Sequence, residues 1–342
     1  RHAALPRRYA TLASSAGDTT VRGMADGEAA PALVQQLYQA ASTAAAVFIA
    51  EADGSNQELT TVRESAGKIV SQKGQSAAEP VAKPMPSTAS LKCSGKTETE
   101  PSKSYAGAVI SHRFANVART VCEVMDRFTL HDLGVDVQHA ASSLRLFRGH
   151  ISTQTVYSSD LFEIVAFFFP ARSAIPLHDH PGMTVFSKVI YGSLTMESYD
   201  WVDQPSPTTL DEWSNRLEAA ADRGDFKTAT TAGACFAARQ RADTILTPEA
   251  PTFILKPDFA NIHAFSALSD TVVLDVLMPP YDEEGGRDCH YFEKVGARGR
   301  PGSVADVAQL RITSAPDWLV IKGSEYRGPR AIPAIQTDRR GD

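Results

Sequence analysis

Cysteine is scarce and scattered. Four occur in 342 residues, Cys93, Cys122, Cys235 and Cys289, with no CxxC pair, a spacing that excludes a short disulfide framework and suits a reducing compartment. Long apolar runs are also missing: the stretch 161–170 is the best candidate, but it contains Glu163 and falls well short of the roughly 20 residues that cross a bilayer. Neither sign of charge dominates. With 34 basic and 40 acidic residues the formal net charge is −6, so nothing global points to nucleic acid or an anionic membrane as a partner. No GxGxxG follows a strand-like run and no GKT/S stands in a P-loop setting, so a nucleotide cofactor is not indicated. Acid is absent from residues 1–17, where Arg1, Arg7 and Arg8 sit among alanine and serine. Residues 1–30 therefore read as a disordered basic tail or an organelle-targeting segment.

What is present suffices for a sizeable core, since 43% of residues are hydrophobic and 22% charged. Val34, Leu37, Tyr38, Ala41, Ala45, Phe48 and Ile49 recur at helical spacing and predict an amphipathic helix over 33–50. Residues 53–105 then turn to Ser, Thr, Lys, Glu, Gln and Pro, a composition that buries too little apolar surface to offset its ordering entropy, and read as a flexible insertion. A second helical pattern runs through Val117, Val121, Val124 and Phe128, with Asn116 as its expected cap.

After about residue 149 the period becomes strand-like. Strands are expected at 153–157, 161–169, 184–191, 193–201, 234–239, 252–256, 262–266, 271–277, 290–294 and 318–321, with a helical or irregular excursion at 211–225 anchored by Trp213 and Leu217. The break Tyr191-Gly192-Ser193 suggests a hairpin. Many short, closely spaced strands predict an all-β barrel preceded by helices. The expected organisation is a tail (1–30), a first helix (31–52), the insertion (53–105), a catalytic domain (106–330) and a second tail (331–342).

The chemistry concentrates in Ile175-Pro176-Leu177-His178-Asp179-His180-Pro181-Gly182-Met183. On an extended chain side chains alternate, so His178 and His180 can share one ion while Asp179 faces away. His263, in a turn-rich lead into an apolar strand, could oppose that pair from elsewhere in the barrel. His112, His131, His139 and His150 carry no comparable signal.

These residues, together with 185–194, 198–201, Asp275-Val276-Leu277-Met278-Pro279-Pro280-Tyr281 and Gly286-Arg287-Asp288-Cys289-His290-Tyr291-Phe292, resemble the thiol dioxygenases of the cupin superfamily, in the branch of plant cysteine oxidases and 2-aminoethanethiol dioxygenase. The resemblance covers 34–50 and most of 117–321. It implies a cupin-type double-stranded β-helix, or jelly roll, with N-terminal helices. It also implies ferrous iron held by His178, His180 and His263. Many cupins place a glutamate soon after the paired histidines, but Pro181-Gly182-Met183-Thr184 has no acid, consistent with a site of histidines alone. Three neutral imidazoles leave the ion's charge uncompensated, which favours an anionic thiolate as substrate ligand.

Carried over from the family, Asp275, Tyr281, Cys289 and Tyr291 are expected near the reacting atoms. Asp275 would orient a substrate amine or a ligand imidazole, and Tyr281, after two prolines, would aim its phenol at substrate or oxygen. Cys289 and Tyr291 share a face if extended and could form a thioether, although a buried thiol also explains Cys289. His290, between them, would face the surface or the back of the site. The implied reaction adds both atoms of O2 to the thiol of a protein's N-terminal cysteine, as oxygen sensing through the N-degron pathway requires. Cysteamine is the alternative substrate, and a zinc- or manganese-holding cupin without this activity is the alternative of another class. A monomer in the cytoplasm or nucleus is expected.

Overall fold

The computed structural model describes residues 32–52, 112–136, 150–225, 227–228, 232–295 and 307–332. The basic leader at 1–30, the insertion at 53–105, most of the tail at 331–342, His2 and His139 lie outside the described residues. Among the described residues no helix is long and apolar enough to cross a membrane.

The strands are β1 (Ile151–Ser158), β2 (Glu163–Phe169), β3 (Ala174–His178), β4 (Thr184–Tyr191), β5 (Leu194–Trp201), β6 (Cys235–Gln240), β7 (Thr244–Leu246), β8 (Phe253–Leu255), β9 (Ile262–Ala267), β10 (Thr271–Met278), β11 (Tyr291–Val295), β12 (Val307–Thr313) and β13 (Ile321–Gly323). They form two sheets, in the orders β13-β1-β2-β10-β4-β8 and β6-β12-β11-β3-β9-β5-β7. Pairing is antiparallel except between β1 and β13. Apart from β1 with β2 and β11 with β12, most partners are remote in sequence, with β3 lying between β9 and β11, so the chain winds back and forth between the sheets. This is the jelly roll of the cupin fold.

The core follows from what each face must cover. Val165, Phe169, Val185, Val189, Val273 and Leu277 of the first sheet meet Ile175, Met196, Phe265 and Ala267 of the second between the layers. Both outer faces are covered as well. Helices α1 (Leu33–Ala52) and α2 (His112–Met125) pack Leu37, Ala41, Ala45, Phe114 and Val121 onto Phe168, Phe186, Leu274 and Val276 at the back of the first sheet. The alanines at 40, 41, 44 and 45 give α1 high helix propensity and a thin stripe that lets α2 approach. On the other side α3 (Pro207–Asp222) sets Leu210 and Leu217 against Tyr199, Ile262, Phe292 and Leu310. Ser206 starts α3 by accepting from the Thr209 amide, with Pro207 in its first turn.

Two local expectations are corrected. Asn116 does not cap α2, which begins at His112. The buried residues Phe114, Ala118, Val121 and Met125 start the apolar stripe earlier than Val117, and the Asn116 carbonyl accepts from Thr120 inside the helix. The break at Gly192 is not a hairpin either, because β4 and β5 belong to different sheets. Gly192 has φ of +77°, and a Cβ there would stand 2.0 Å from the Asp270 carbonyl oxygen. A close corner between sheets thus requires glycine. Gly192→Ala should destabilise the fold by more than about 2 kcal/mol, seen as a lower urea midpoint at unchanged slope.

The structure also adds β3, β7 and β12 to the expected strands and moves the last strand from 318–321 to β13. In β12 buried and exposed positions alternate weakly, which hides it from period-based reading. Along β10, buried throughout its length, one charged side chain interrupts the apolar run: Asp275.

Candidate metal centre

β3 ends at His178, so His180 lies on the turn beyond the strand and not within it. A register irregularity between Ile175 and His178 sends both of these side chains inward while Leu177 joins the outer cluster under α3. Bulges of this kind re-aim side chains next to sites. Across the ladder His178 pairs with His263 on β9, where Ile262 and Ala264 face α3 while His263 and Phe265 face inward. Ring centroids are 4.4 Å apart for His178 and His263, 5.1 Å for His178 and His180, and 5.2 Å for His180 and His263. One nitrogen from each ring falls within 4.8 Å of the others. All three rings are buried.

Hydrogen bonds fix which nitrogen that is. His178 Nδ1 donates to the Pro176 carbonyl at 2.9 Å and His263 Nδ1 to the Asn261 carbonyl at 3.2 Å. A carbonyl can only accept, so these Nδ1 atoms carry the proton and leave Nε2 bare. The Tyr281 hydroxyl donates to the Asp179 carbonyl at 2.8 Å and accepts from His180 Nδ1 at 2.6 Å. Three Nε2 lone pairs are therefore free for one ion. Burial lowers the pKa of each ring, with the other histidines adding to the effect at His180 and His263, so all are neutral and competent as ligands. A buried, convergent set of three imidazoles without a carboxylate fits a divalent transition ion, iron included.

The histidines line a cavity of about 350 Å³ together with Asp275, Tyr281 and Tyr291. Asp275 takes a 2.5 Å hydrogen bond from Ser187 on one oxygen, and its other oxygen has no protein partner among the described residues. Burial pushes this carboxyl up to about 7, against the Ser187 bond. Tyr281 differs from expectation: its hydroxyl is committed to the Asp179 carbonyl and His180, so it buttresses a ligand ring. Cys289 sits behind the cavity wall in a cluster with Tyr291, Tyr281 and Leu319, within hydrogen-bonding reach of both phenols. Burial raises the Cys289 and Tyr291 pKa values, so both stay protonated.

Asp179, on the turn after β3, points away from the histidine group into a buried network. His290 is 1% exposed, which decides between its two expected places for the back of the site: α3 covers that side of the sheet. Its Nδ1 lies 3.1 Å from both Asp179 oxygens and its Nε2 3.0 Å from Asp211 on α3. Sequence reading also missed Glu163, a half-buried cavity residue whose carboxyl is raised by burial and held by Thr155. A lone acid at the start of an aromatic strand was its signal. His112, His131 and His150 take no part in the histidine group. Lys188 and Asp200 serve packing, Lys188 bonding the Pro248 carbonyl and Asp200 pairing with Arg241 at 2.6 Å.

The chain is similar to several known proteins. Plant cysteine oxidase 2 of Arabidopsis thaliana is 33% identical over 178 residues, 49% of this chain and 54% of that protein, so the chain spans about half the length of that relative. The 2-aminoethanethiol dioxygenase of Mus musculus is 30% identical over 192 residues, 52% of this chain and 70% of that protein. Among solved structures, a double-stranded β-helix protein from Klebsiella pneumoniae is 13% identical, covering 44% of this chain and 90% of that one with a TM-score of 0.26. The PCO_ADO family model matches residues 124–331, more than half of the chain and all three histidines of the centre. The fold, the histidine triad and that match make the chain a member of the PCO_ADO family.

Proposed function

We propose that the chain is an iron-dependent thiol dioxygenase acting on the N-terminal cysteine of polypeptides. The observation that carries this reading is the triad of buried, neutral imidazoles opening on a cavity that also holds Asp275. The balanced reaction is R–SH + O2 → R–SO2H: sulfur gives up four electrons, both oxygen atoms bond to it, and the single proton ends on the sulfinate oxygen or in solvent. Bound Fe(II) would supply the redox centre at which thiol and O2 meet. His178, His180 and His263 would hold it through Nε2, each ring aimed by its Nδ1 hydrogen bond.

Asp275 supplies the second recognition element. Its unpartnered oxygen faces the cavity, where a substrate ammonium would find a charge partner in a low-dielectric setting. Val165, Phe167, Phe265 and Leu277 line the rest of the space and keep water from competing for the thiol.

The choice of a polypeptide over cysteamine rests on the size of the cavity. The cavity is larger than so small an aminothiol fills, and Glu163, Asp282, Glu283, Glu284 and Asp288 line it, with no lysine or arginine among the lining residues. An acidic lining attracts the ammonium group that either substrate carries and raises its encounter rate. A sulfinic acid left at the terminus would mark its carrier for the N-degron pathway and make carrier lifetime follow oxygen supply.

The test gives iron-loaded protein a Cys-starting peptide and cysteamine in competition under oxygen, with products weighed by mass spectrometry. The peptide should gain two oxygen atoms first. Oxidation of cysteamine alone would refute the polypeptide reading, and no oxygen gain on either would refute dioxygenation. Retention of zinc with no response to iron would support the other class of cupin.

A further inference from the structure

The network behind the metal loop reaches the surface, and α3 is its outer end. Asp179, between two of the three ligands, is held at several points by His290: the His290 amide donates to Asp179 Oδ1 at 2.9 Å, the Asp179 amide donates to the His290 carbonyl at 3.2 Å, and the imidazole Nδ1 faces both carboxylate oxygens. The ring is fixed from its far side by Asp211. Asp211 stands near the start of a helix inserted between β5 and β6, two strands that pair with each other. The barrel closes without that helix, so its contact with His290 is not needed to complete either sheet.

We propose that Asp211 and His290 are positioning residues through which α3 holds the 178–180 loop in its metal-binding conformation, so that a helix on the barrel's outside sets the affinity of the three-histidine centre. The inference rests on the reading of that centre as a metal site. The geometry supports it in three ways. A histidine with a carboxylate at each ring nitrogen has only one orientation that satisfies both. Burial disfavours its charged form, yet Asp179 and Asp211 outweigh this and push its pKa up to about 9, so it donates from both nitrogens at neutral pH. Asp288, the other acid facing this group, bonds the Cys289 amide, leaving Asp211 as the partner that caps the far nitrogen. The metal ligands themselves receive nothing directly from α3. Besides apolar packing on Leu177, Ile262 and Ala264, its polar route to the loop runs through His290 and Asp179.

The experiment titrates metal-free protein with Co(II), read by ligand-field absorption, and with Fe(II) under anaerobic conditions by competition with a chelator. Residues that orient metal ligands from behind typically contribute 10- to 100-fold in metal affinity. Asp211→Asn should weaken binding about tenfold and shift the Co(II) spectrum, while circular dichroism and unfolding midpoint stay near those of the parent. Asp211→Glu should recover part of the affinity. His290→Ala should cost more, approaching 100-fold, and combining it with Asp211→Asn should add little, because both cut one chain of contacts. Glu212→Gln, on the exposed face of the same helix, should change nothing. Asp211→Asn protein that binds Co(II) with parental affinity and an unaltered spectrum overturns the proposal. Failure of the parent protein to bind either ion overturns the metal reading, and this inference with it.

Discussion

Replacing His263 with alanine should abolish activity and weaken Fe(II) binding by more than about 100-fold, beyond what the loss of an orienting partner costs. The reason lies in the donor count. Three imidazoles are the whole protein contribution to the ion, so removal of one leaves two nitrogens on a single loop, with nothing opposite. His263 is also the member that comes from β9, so its loss removes the cross-strand half of the grip. The fold should tolerate the change, because the site lies inside a barrel whose strands are held by their own ladders. Burial of three neutral rings without an ion is itself costly, and the alanine variant should unfold at a denaturant concentration close to that of the metal-free parent. Anaerobic Fe(II) titration and oxygen-consumption assays check both statements. A variant that keeps parental affinity would show that the ion, if bound, is held elsewhere.

Asp275→Asn should separate catalysis from stability. If Asp275 receives the substrate ammonium, removing one partner of a buried charge pair costs about 2–5 kcal/mol, so kcat/KM for a Cys-starting peptide should fall by about 30-fold to several thousand-fold. The same change should stabilise the metal-free protein at neutral and alkaline pH. The unfolded carboxyl ionises near 3.8, whereas in the fold burial holds it protonated up to about 7. Between those values the folded chain keeps a proton that the unfolded chain has released, so this group's contribution to stability declines as pH rises from about 4 to 7 and stays at its lowest above that. Asparagine does not titrate. Urea midpoints of the two metal-free proteins should therefore lie closest at pH 4 and diverge towards pH 7, with the variant the more stable. Curves that stay parallel over that range would place Asp275 in a wetter environment than its neighbours imply.

The parts of this molecule legible in the sequence are those encoded by local periodicity or by rigid chemistry. β4 is a dense run of β-branched and aromatic residues and β10 one of β-branched and aliphatic residues, and neither needs a partner to be recognised. The His178 and His180 pair is visible because two imidazoles one residue apart can converge on one ion, although His180 reaches it from the turn after β3 and not from the strand, and the turn-rich approach to His263 marked it from its surroundings. What stayed hidden depends on contacts far apart in the chain. Gly192 reads equally well as a hairpin or as a corner between sheets, because both demand a left-handed residue; the choice is made by the distant Asp270 backbone. The hydroxyl of Tyr281 could be brought near the site from its two prolines, but its partners, Asp179 and His180, lie about a hundred residues earlier. For His290 the surface and the back of the site stayed open, because strand alternation says only that it opposes Cys289 and Tyr291. That its side of the sheet is roofed by α3 is a tertiary fact, and Asp211, 79 residues away, gave no local sign of its role.

The double-sided burial of the first sheet has a practical corollary. The family match begins at residue 124, yet α1 and nearly all of α2 lie upstream of it and form the layer that keeps Phe168, Phe186, Leu274 and Val276 dry. A fragment trimmed to the recognisable family region would present a broad greasy plane to solvent, on the reverse of the strand that carries Asp275. Such a surface invites aggregation. The boundary of the family-model match and the boundary of the packed layers fall at different residues in this chain.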